Sequence, residues 1–410
     1  FEPIPIPFTS MLPLALFPML GILTPAEVGQ SYGSPLILLL LGGFMISKAM
    51  AESGAHRRMA LFMVNLFGGG NARALVMGFM TASALLSMWI SNTATTLMLL
   101  PVALAVLEST QRRMAIPLLL GIAYAASIGG IGTPIGTPPN LIFMQVYADN
   151  FGDTPSFPEW MRWGLPVVIV MVPLTGLYLT RGLKLDRPVE LPPVGRWQQS
   201  EVRVMTIFAI TALAWVTRSA PFGGWSEWFG LPQANDASVA LLAVIAMAVT
   251  PNGSGERLLR WEAARTIPWG VLILFGGGIA IANAFMQSGL ADQIAAQMDI
   301  LSRIPVWLMI LGLCLTVTFL TEVTSNTATA SLLMPLLAAA AVAMDINPML
   351  LMIPAAMSAS CAFMLPVATA PNAVIYGSGR VSIKQMARAG LFLNLMGAVV
   401  ISIFSYLLLT

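Results

Sequence analysis

One five-residue polar phrase, Ser-Asn-Thr-Ala-Thr, occurs twice in the chain, at 91–95 and again at 325–329. Each copy sits between two apolar arms, and a proline follows ten residues after each serine, Pro101 and Pro335. Adjacent hydroxyl and amide side chains inside an oily stretch are costly unless they pair with one another or hold something. A single copy would be consistent with local packing. Two copies, about half a chain apart, point to one site built from two halves.

The setting of these phrases decides the fold class. Of 410 residues, 57% are hydrophobic and 9% charged, whereas a soluble chain carries about a quarter charged residues. The apolar runs are continuous rather than alternating, which favours an all-α polytopic membrane protein over a β-barrel. A net charge of +2 is too small to imply a nucleic-acid partner. Cys314 and Cys361 stand far apart in apolar segments and resemble neither a metal site nor a disulfide framework. His56, beside Arg57 and Arg58 in a polar connection, reads as an interfacial residue rather than a ligand. The chain begins Phe-Glu-Pro-Ile-Pro-Ile-Pro rather than with Met, and the expectation is that the natural protein starts further upstream.

Apolar candidates fall at 8–24, 34–51, 74–90, 95–107, 114–131, 162–180, 201–217, 237–250, 266–287, 305–320, 328–344, 347–364 and 386–409. Those flanking the two polar phrases, 74–90 with 95–107 and 305–320 with 328–344, are shorter than the roughly 20 residues of a full span. Two short arms around a polar tip predict a re-entrant hairpin, tolerable only where the irregular backbone is buried in protein or lines a cavity. The connections at 48–73, 108–113, 181–203, 256–265 and 380–388 are net positive. Those at 149–162, 218–236, 292–303 and at Asp345 are net negative. These signs sort consistently if the first hairpin opens to the cytoplasm and the second to the outside, with the 181–203 linker inside.

Opposite directions are what an inverted-topology repeat predicts. Gly42-Gly43 then Ser53-Gly54 matches Gly277-Gly278 then Ser288-Gly289 at an offset of 235. The polar phrases match at 234, and Thr137-Pro138-Pro139-Asn140 matches Thr369-Ala370-Pro371-Asn372 at 232. Each of this last pair lies midway through an apolar segment whose prolines and glycines interrupt a helix. Two discontinuous transmembrane helices follow. Their bare carbonyls suit a cation, and their bare N–H ends suit an anion.

The glycine run at 129–136 lacks the spacing of a dinucleotide loop and has no P-loop lysine. Thr95, Thr96 and Thr329 could simply bond a carbonyl one turn back, an explanation that fits Asn92 and Asn326 poorly. Glu322 either stiffens the second hairpin or tunes a cation site, or else lies near the outer surface or is protonated and locally satisfied. The triplets at 68–70 and 276–278 read as turn and helix-packing devices.

The site so assembled offers amides, hydroxyls and peptide groups, and no Arg, Lys or His. A divalent anion would lack a fixed cationic partner, which bound cations can supply. Neutral oxygens suit Na+, and the repeat provides two cation places, one per half. An anion site that is poor until the ions are bound is the logic of obligatory coupling. Spacing alone does not distinguish a carboxylate from sulfate.

The contexts SMWISNTATT, GTPPN at 136–140 and TEVTSNTAT closely resemble the divalent anion/sodium symporter family of di- and tricarboxylate carriers, over essentially the whole chain. Ala370 departs from that pattern, where the second half often carries Pro. The resemblance implies about eleven transmembrane helices plus two re-entrant hairpins, a homodimer, and an elevator-like transport domain moving against a scaffold. In that scheme the opening FEPIPIP ends the second helix. Residues 1–67 would be scaffold and arm of the first repeat, 68–180 transport half one, 181–200 a cytoplasmic linker, 201–303 scaffold and arm of the second repeat, and 304–410 transport half two. By motif position, one Na+ would use Ser87, Ser91, Asn92 and Gly136; the other would use Thr321, Thr324, Asn326 and Ala368, several through carbonyls. Substrate carboxylates would meet Asn92, Thr93, Thr137, Pro138, Ser325, Asn326, Thr327 and Thr369.

The expectation is a Na+-coupled secondary transporter, binding at least two Na+, that imports C4-dicarboxylates across a bacterial-type plasma membrane. The alternatives are the same fold carrying citrate or sulfate, or running as an exchanger. An enzyme is disfavoured because no His/Cys/Asp cluster or Ser–His pair appears in the apolar segments; a channel is separated from a carrier by turnover.

Overall fold

The computed structural model describes residues 4–67, 71–108, 114–183, 195–219, 224–288 and 304–410. Several sequence expectations lie wholly or partly outside these, among them the opening FEPIPIP, the 68–70 glycine triplet, the 108–113, 218–236 and 292–303 connections, and residues 184–194 of the 181–203 linker. The described chain is helical, its only β feature an isolated bridge between Pro251 and Arg257. Among the described residues, five helices are long and apolar enough to cross a membrane: Pro25–Ser53, Ala115–Gly132, Phe157–Leu179, Asn326–Ala343 and Ile383–Leu409. Shorter apolar helices include Ala72–Ser87, Asp236–Val249, Val306–Leu320 and Met349–Ala359.

Three differences from the sequence expectations have local causes. Residues 25–32, between the apolar candidates 8–24 and 34–51, form the helix Pro25–Tyr32, because Thr24 and Glu27 close a capping box at its start. The polar connection after residue 54 contains the helix Ala55–Phe67, started by the left-handed Gly54 and exposing Phe62 and Leu66 on one side. His56 lies in its first turn, half-buried, with Nδ1 2.8 Å from Met50 O. The arm expected to start at 328 begins at Asn326, because Ser325 Oγ accepts from Ala328 N at 3.1 Å and caps it. At 18 residues that arm is long enough to count as a span rather than a short arm.

The elements recur in the same order in the two halves. Pro35–Ser53, Ala72–Ser87, Asn92–Glu108, Ala115–Gly129, Pro138–Phe151 and Phe157–Leu179 are answered by Trp269–Gln287, Val306–Leu320, Asn326–Ala343, Met349–Ala359, Ala370–Gly377 and Ile383–Leu409. Packing recurs with them. Both arms of the first polar tip lie against Ala115–Gly129, and both arms of the second lie against Met349–Ala359. The helix after each break, Phe157–Leu179 or Ile383–Leu409, also packs on these pieces.

Glycine makes the closest of these approaches possible. Gly164 lies against Ile131 O and Gly390 against Phe363 O, and a Cβ at either would overlap that oxygen. Lipid tails are as apolar as a leucine-rich helix surface, so helices in this setting gain from such close contact rather than from leaving water.

The two halves interlock. Asn326–Ala343 packs on Pro138–Phe151, while Ala370–Gly377 packs on Asn92–Glu108. Each helix that starts at a polar tip therefore packs on the helix that resumes after the other half's break. A second set of contacts joins Pro35–Ser53, Gln199–Val216 and Asp236–Val249, where Gly42 meets Ala240. Trp89, just before the first tip, stacks on Phe157 and Trp215 with centroids 5.9 and 6.4 Å away, and meets Phe208 edge-on at 5.4 Å.

Candidate functional site

Each polar tip starts a helix. Ser91 Oγ accepts from Ala94 N at 3.2 Å, and Ser325 Oγ caps its helix in the same way. The asparagine one residue on is tied back to the end of the preceding arm. In the first half Ser87 Oγ bonds the Asn92 amide. With its nitrogen turned toward the surrounding acceptors, that amide also donates to Ala126 O and Gly136 O, each at 3.2 Å. In the second half Thr321 Oγ1 lies 3.0 Å from Asn326 Oδ1 and donates to Ala359 O at 3.0 Å. Ser87 and Thr321, and Asn92 and Asn326, are matched positions at an offset of 234, and Ala126 and Ala359 each lie near the end of the helix that precedes a break. Each tip is thus bonded to the carbonyl end of its own broken helix.

Both breaks are visible. The helix Ala115–Gly129 runs into a 3-10 turn, Gly130–Gly132, and resumes at Pro138. Met349–Ala359 stops, and the chain is non-helical until Ala370. Thr137 and Thr369 hold nearly the same extended conformation, φ −147° and −140°, at the N-caps of the resumed helices. Pro138 is the first residue of its helix, where a missing N–H costs nothing. Thr369 Oγ1 accepts from Asn372 N at 3.3 Å, whereas Thr137 Oγ1 accepts from Ser360 Oγ at 3.4 Å, joining one break to the other.

Ser87, Asn92 and Gly136 lie together, as do Thr321 and Asn326. The Thr324 hydroxyl turns instead to Leu320 O at 2.9 Å and Thr329 Oγ1 at 2.6 Å. Ala368 is buried at the end of the second break, its N–H on Leu365 O. Thr93 and Thr327 are half-buried beside their tips, and Ser325 is exposed. Thr96 bonds Asn92 O one turn back at 2.9 Å, which is the local role foreseen for it. The Thr95 hydroxyl is buried with no partner among the described residues.

Glu322 is 4% exposed, although Val323, Thr324 and Ser325 directly after it are exposed. Its carboxylate accepts from Phe363 N at 2.7 Å, Met364 N at 2.8 Å, Leu365 N at 3.0 Å and Asn394 Nδ2 at 2.7 Å. The carboxylate therefore occupies the N–H groups that the second break would otherwise leave bare. In the first half Met88 stands at the matching position and the polarity reverses: Trp160 Nε1 donates to Ile131 O at 2.8 Å. Sequence reasoning missed Asn394 and Trp160; an Asn and a Trp in the apolar helices after each break were the available signals.

Among the described residues no three His, Cys, Asp or Glu side chains converge on a metal. The donors at the tips are neutral oxygens, a set suited to a hard monovalent cation. The described ion pairs, such as Arg58–Glu201 and Arg218–Asp236, involve no residue of either tip or break.

A family model described as citrate transporter matches residues 1–352. The sodium-dependent dicarboxylate transporter SdcS of Staphylococcus aureus strain MW2 is 40% identical over 99% of this chain and 82% of its own length. The same protein from strain COL is equally similar. Among solved structures, the YdaH transporter of Alcanivorax borkumensis superposes with a TM-score of 0.63 at 16% identity, over 94% of this chain and 86% of that one. That likeness concerns the all-helical multi-span fold.

Proposed function

The chain belongs to the citrate-transporter and divalent anion/sodium symporter family of multi-pass membrane transporters, and on that premise we propose that it imports C4-dicarboxylates such as succinate, malate and fumarate together with Na+. One observation carries this reading beyond the relationship itself. Two matched half-sites, Ser87 and Asn92 at the Ala126 carbonyl and Thr321 and Asn326 at the Ala359 carbonyl, present neutral oxygens and no fixed cation.

Such a surface is a poor host for a dianion in the absence of bound ions. A Na+ in each half would supply the missing positive charge. The first would use Ser87, Ser91, Asn92 and Gly136, and the second Thr321, Thr324, Asn326 and Ala368. The substrate carboxylates would then lie between the tips, against Asn92, Thr93, Ser325, Asn326 and Thr327, with Thr137, Pro138 and Thr369 beside them. Loading at least two Na+ before the anion couples uptake to the sodium gradient.

In this reading the two tips belong to re-entrant hairpins of an inverted repeat. The hairpins, broken helices and following helices of 68–180 and 304–410 form the transport domain. Residues 1–67 and 201–303 form scaffold and arms, through which a homodimer associates, and the transport domain shifts like an elevator. Interlocking of the two halves supports movement of that domain as one body.

The test is uptake of labelled succinate into proteoliposomes of the full-length protein, with an inward Na+ gradient or with K+ in its place. Accumulation only with Na+ is expected. Uptake that ignores Na+ but needs dicarboxylate inside would overturn symport in favour of exchange. Citrate is a second reading, favoured by the description of the matching family model; competition by citrate stronger than by succinate would establish it.

A further inference from the structure

Two asparagines outside the proposed ligand set are bonded alike in the two halves. Asn140 Nδ2 donates to Gly130 O at 2.9 Å and Thr133 O at 2.8 Å. Asn372 Nδ2 donates to Ala362 O and Leu365 O, each at 3.0 Å. Residues 130, 133 and 140 map onto 362, 365 and 372 by a single offset of 232. Both side chains are 0% exposed. The intervening sequences, IGTPIGTPP and FMLPVATAP, share Pro134 with Pro366, Thr137 with Thr369 and Pro139 with Pro371 and differ at the other six positions, so the same geometry is kept across different neighbours.

The partners are carbonyl oxygens, so only the amide nitrogen can face them. Asn140 Oδ1 and Asn372 Oδ1 are buried without a partner among the described residues. It is the two protons of each amide that the structure uses. A broken helix releases carbonyls that have no intrahelical donor, and each asparagine gathers two of them onto one side chain. In the first half this pins the loop close to the candidate ion site: a Cβ on Gly136 would lie 2.9 Å from Gly130 Cα, and the Gly136 carbonyl is the one the Asn92 amide reaches. In the second half Ala362 and Ala368 occupy the matching positions.

We propose that Asn140 and Asn372 are positioning residues for the two Na+ half-sites, each bracing its break so that the Gly136 or the Ala368 carbonyl keeps a fixed place. The proposal rests on the sodium-coupled reading above. Neither asparagine need touch an ion; each acts through the backbone it holds, as groups behind the ligands of metal sites commonly do.

Asn140→Asp and Asn372→Asp replace the two donors by an acceptor that repels the same carbonyls. Asn150→Asp is the control, since its amide, on the same helix as Asn140, donates to Val146 O at 2.6 Å away from the break. The readout is the rise in unfolding temperature of purified full-length protein on titration with NaCl or LiCl at constant ionic strength, with no transport involved. Each break variant is expected to need about ten-fold more Na+ for the half-maximal rise. Each should also discriminate less between Na+ and Li+, because the choice by ion size depends on carbonyl spacing. Asn150→Asp should match the parent. Folded break variants with parental Na+ midpoints and Na+/Li+ preference would overturn the proposal. Should an Asp variant not fold, Asn140→Ser and Asn372→Ser are expected to shift the midpoint in the same direction but less, and an unshifted midpoint there would equally overturn it. A parent protein indifferent to Na+ would refute the sodium reading itself, an outcome distinct from a responsive parent with unaltered variants.

Discussion

Asn394 Nδ2 donates to Glu322 Oε1 at 2.7 Å, joining the last helix to the arm before the second polar tip. Phe363 N, between them, is within bonding distance of both side chains, 2.7 Å from Glu322 Oε1 and 3.2 Å from Asn394 Oδ1. Three elements, the tip arm, the break and the final helix, thus converge on one carboxylate. At the first break Met88 stands at the position matching Glu322, and the carbonyl of Ile131 in the 3-10 turn accepts from Trp160 Nε1 instead.

Glu322→Gln keeps the shape but leaves one oxygen to serve donors now shared by two. Hydrogen bonds to a charged acceptor are worth about 1.5–3 kcal/mol each, so a loss of about 2 kcal/mol of stability or more is expected. Glu322→Ala should lose more, and formate should restore part of it by entering the vacated amide nest. Thermal unfolding with and without formate checks this; a Gln variant as stable as the parent would contradict the capping role.

Asn92→Ala and Asn326→Ala should each raise the Na+ needed for half-maximal uptake and also weaken substrate affinity, by about ten-fold for the ion. Each asparagine is proposed to face both ligands. Uptake measured over a grid of Na+ and succinate concentrations separates the two effects. A variant with parental dependence on both would remove that half from the two-site scheme.

Gly164→Ala and Gly390→Ala should each destabilise the protein by about 1–3 kcal/mol, the range for overpacking a tight contact. In each case the new methyl meets a backbone carbonyl of a broken helix, Ile131 O or Phe363 O, which cannot rotate away as a side chain would. Gly312→Ala, at a glycine with open space around it, should be neutral and serves as the control. Unfolding temperatures of the three variants, compared side by side, provide the check.

Cysteine labelling tests the direction of the repeat. Cys314 and Cys361 are fully buried and should stay unlabelled in folded protein. A cysteine at exposed Gln199 is expected to react only from the cytoplasmic side, and one at exposed Asp345 only from outside. Reaction of both from one side would contradict the inverted arrangement.

Much of this protein is legible without coordinates. Hydropathy alone marks most of the long helices, and the recurrence of Ser-Asn-Thr and Thr-Pro/Ala-Pro-Asn at nearly constant offsets marks both tips and both breaks. These signals survive because they are local: a proline interrupts a helix, and a cluster of polar side chains stands out against an apolar background. Only the tertiary structure decided what serves the broken backbone. Glu322 with Asn394, Trp160 with Ile131, and the packing of each helix that starts at a tip onto the other half's resumed helix join residues far apart in the chain. In a soluble protein an amphipathic stripe would betray which face of each helix turns inward. Here helices such as Asn92–Glu108, Val306–Leu320 and Asn326–Ala343 are apolar on nearly every face and carry no such stripe, and the close contacts of glycines and the pairing of stranded N–H and C=O groups choose the partners instead.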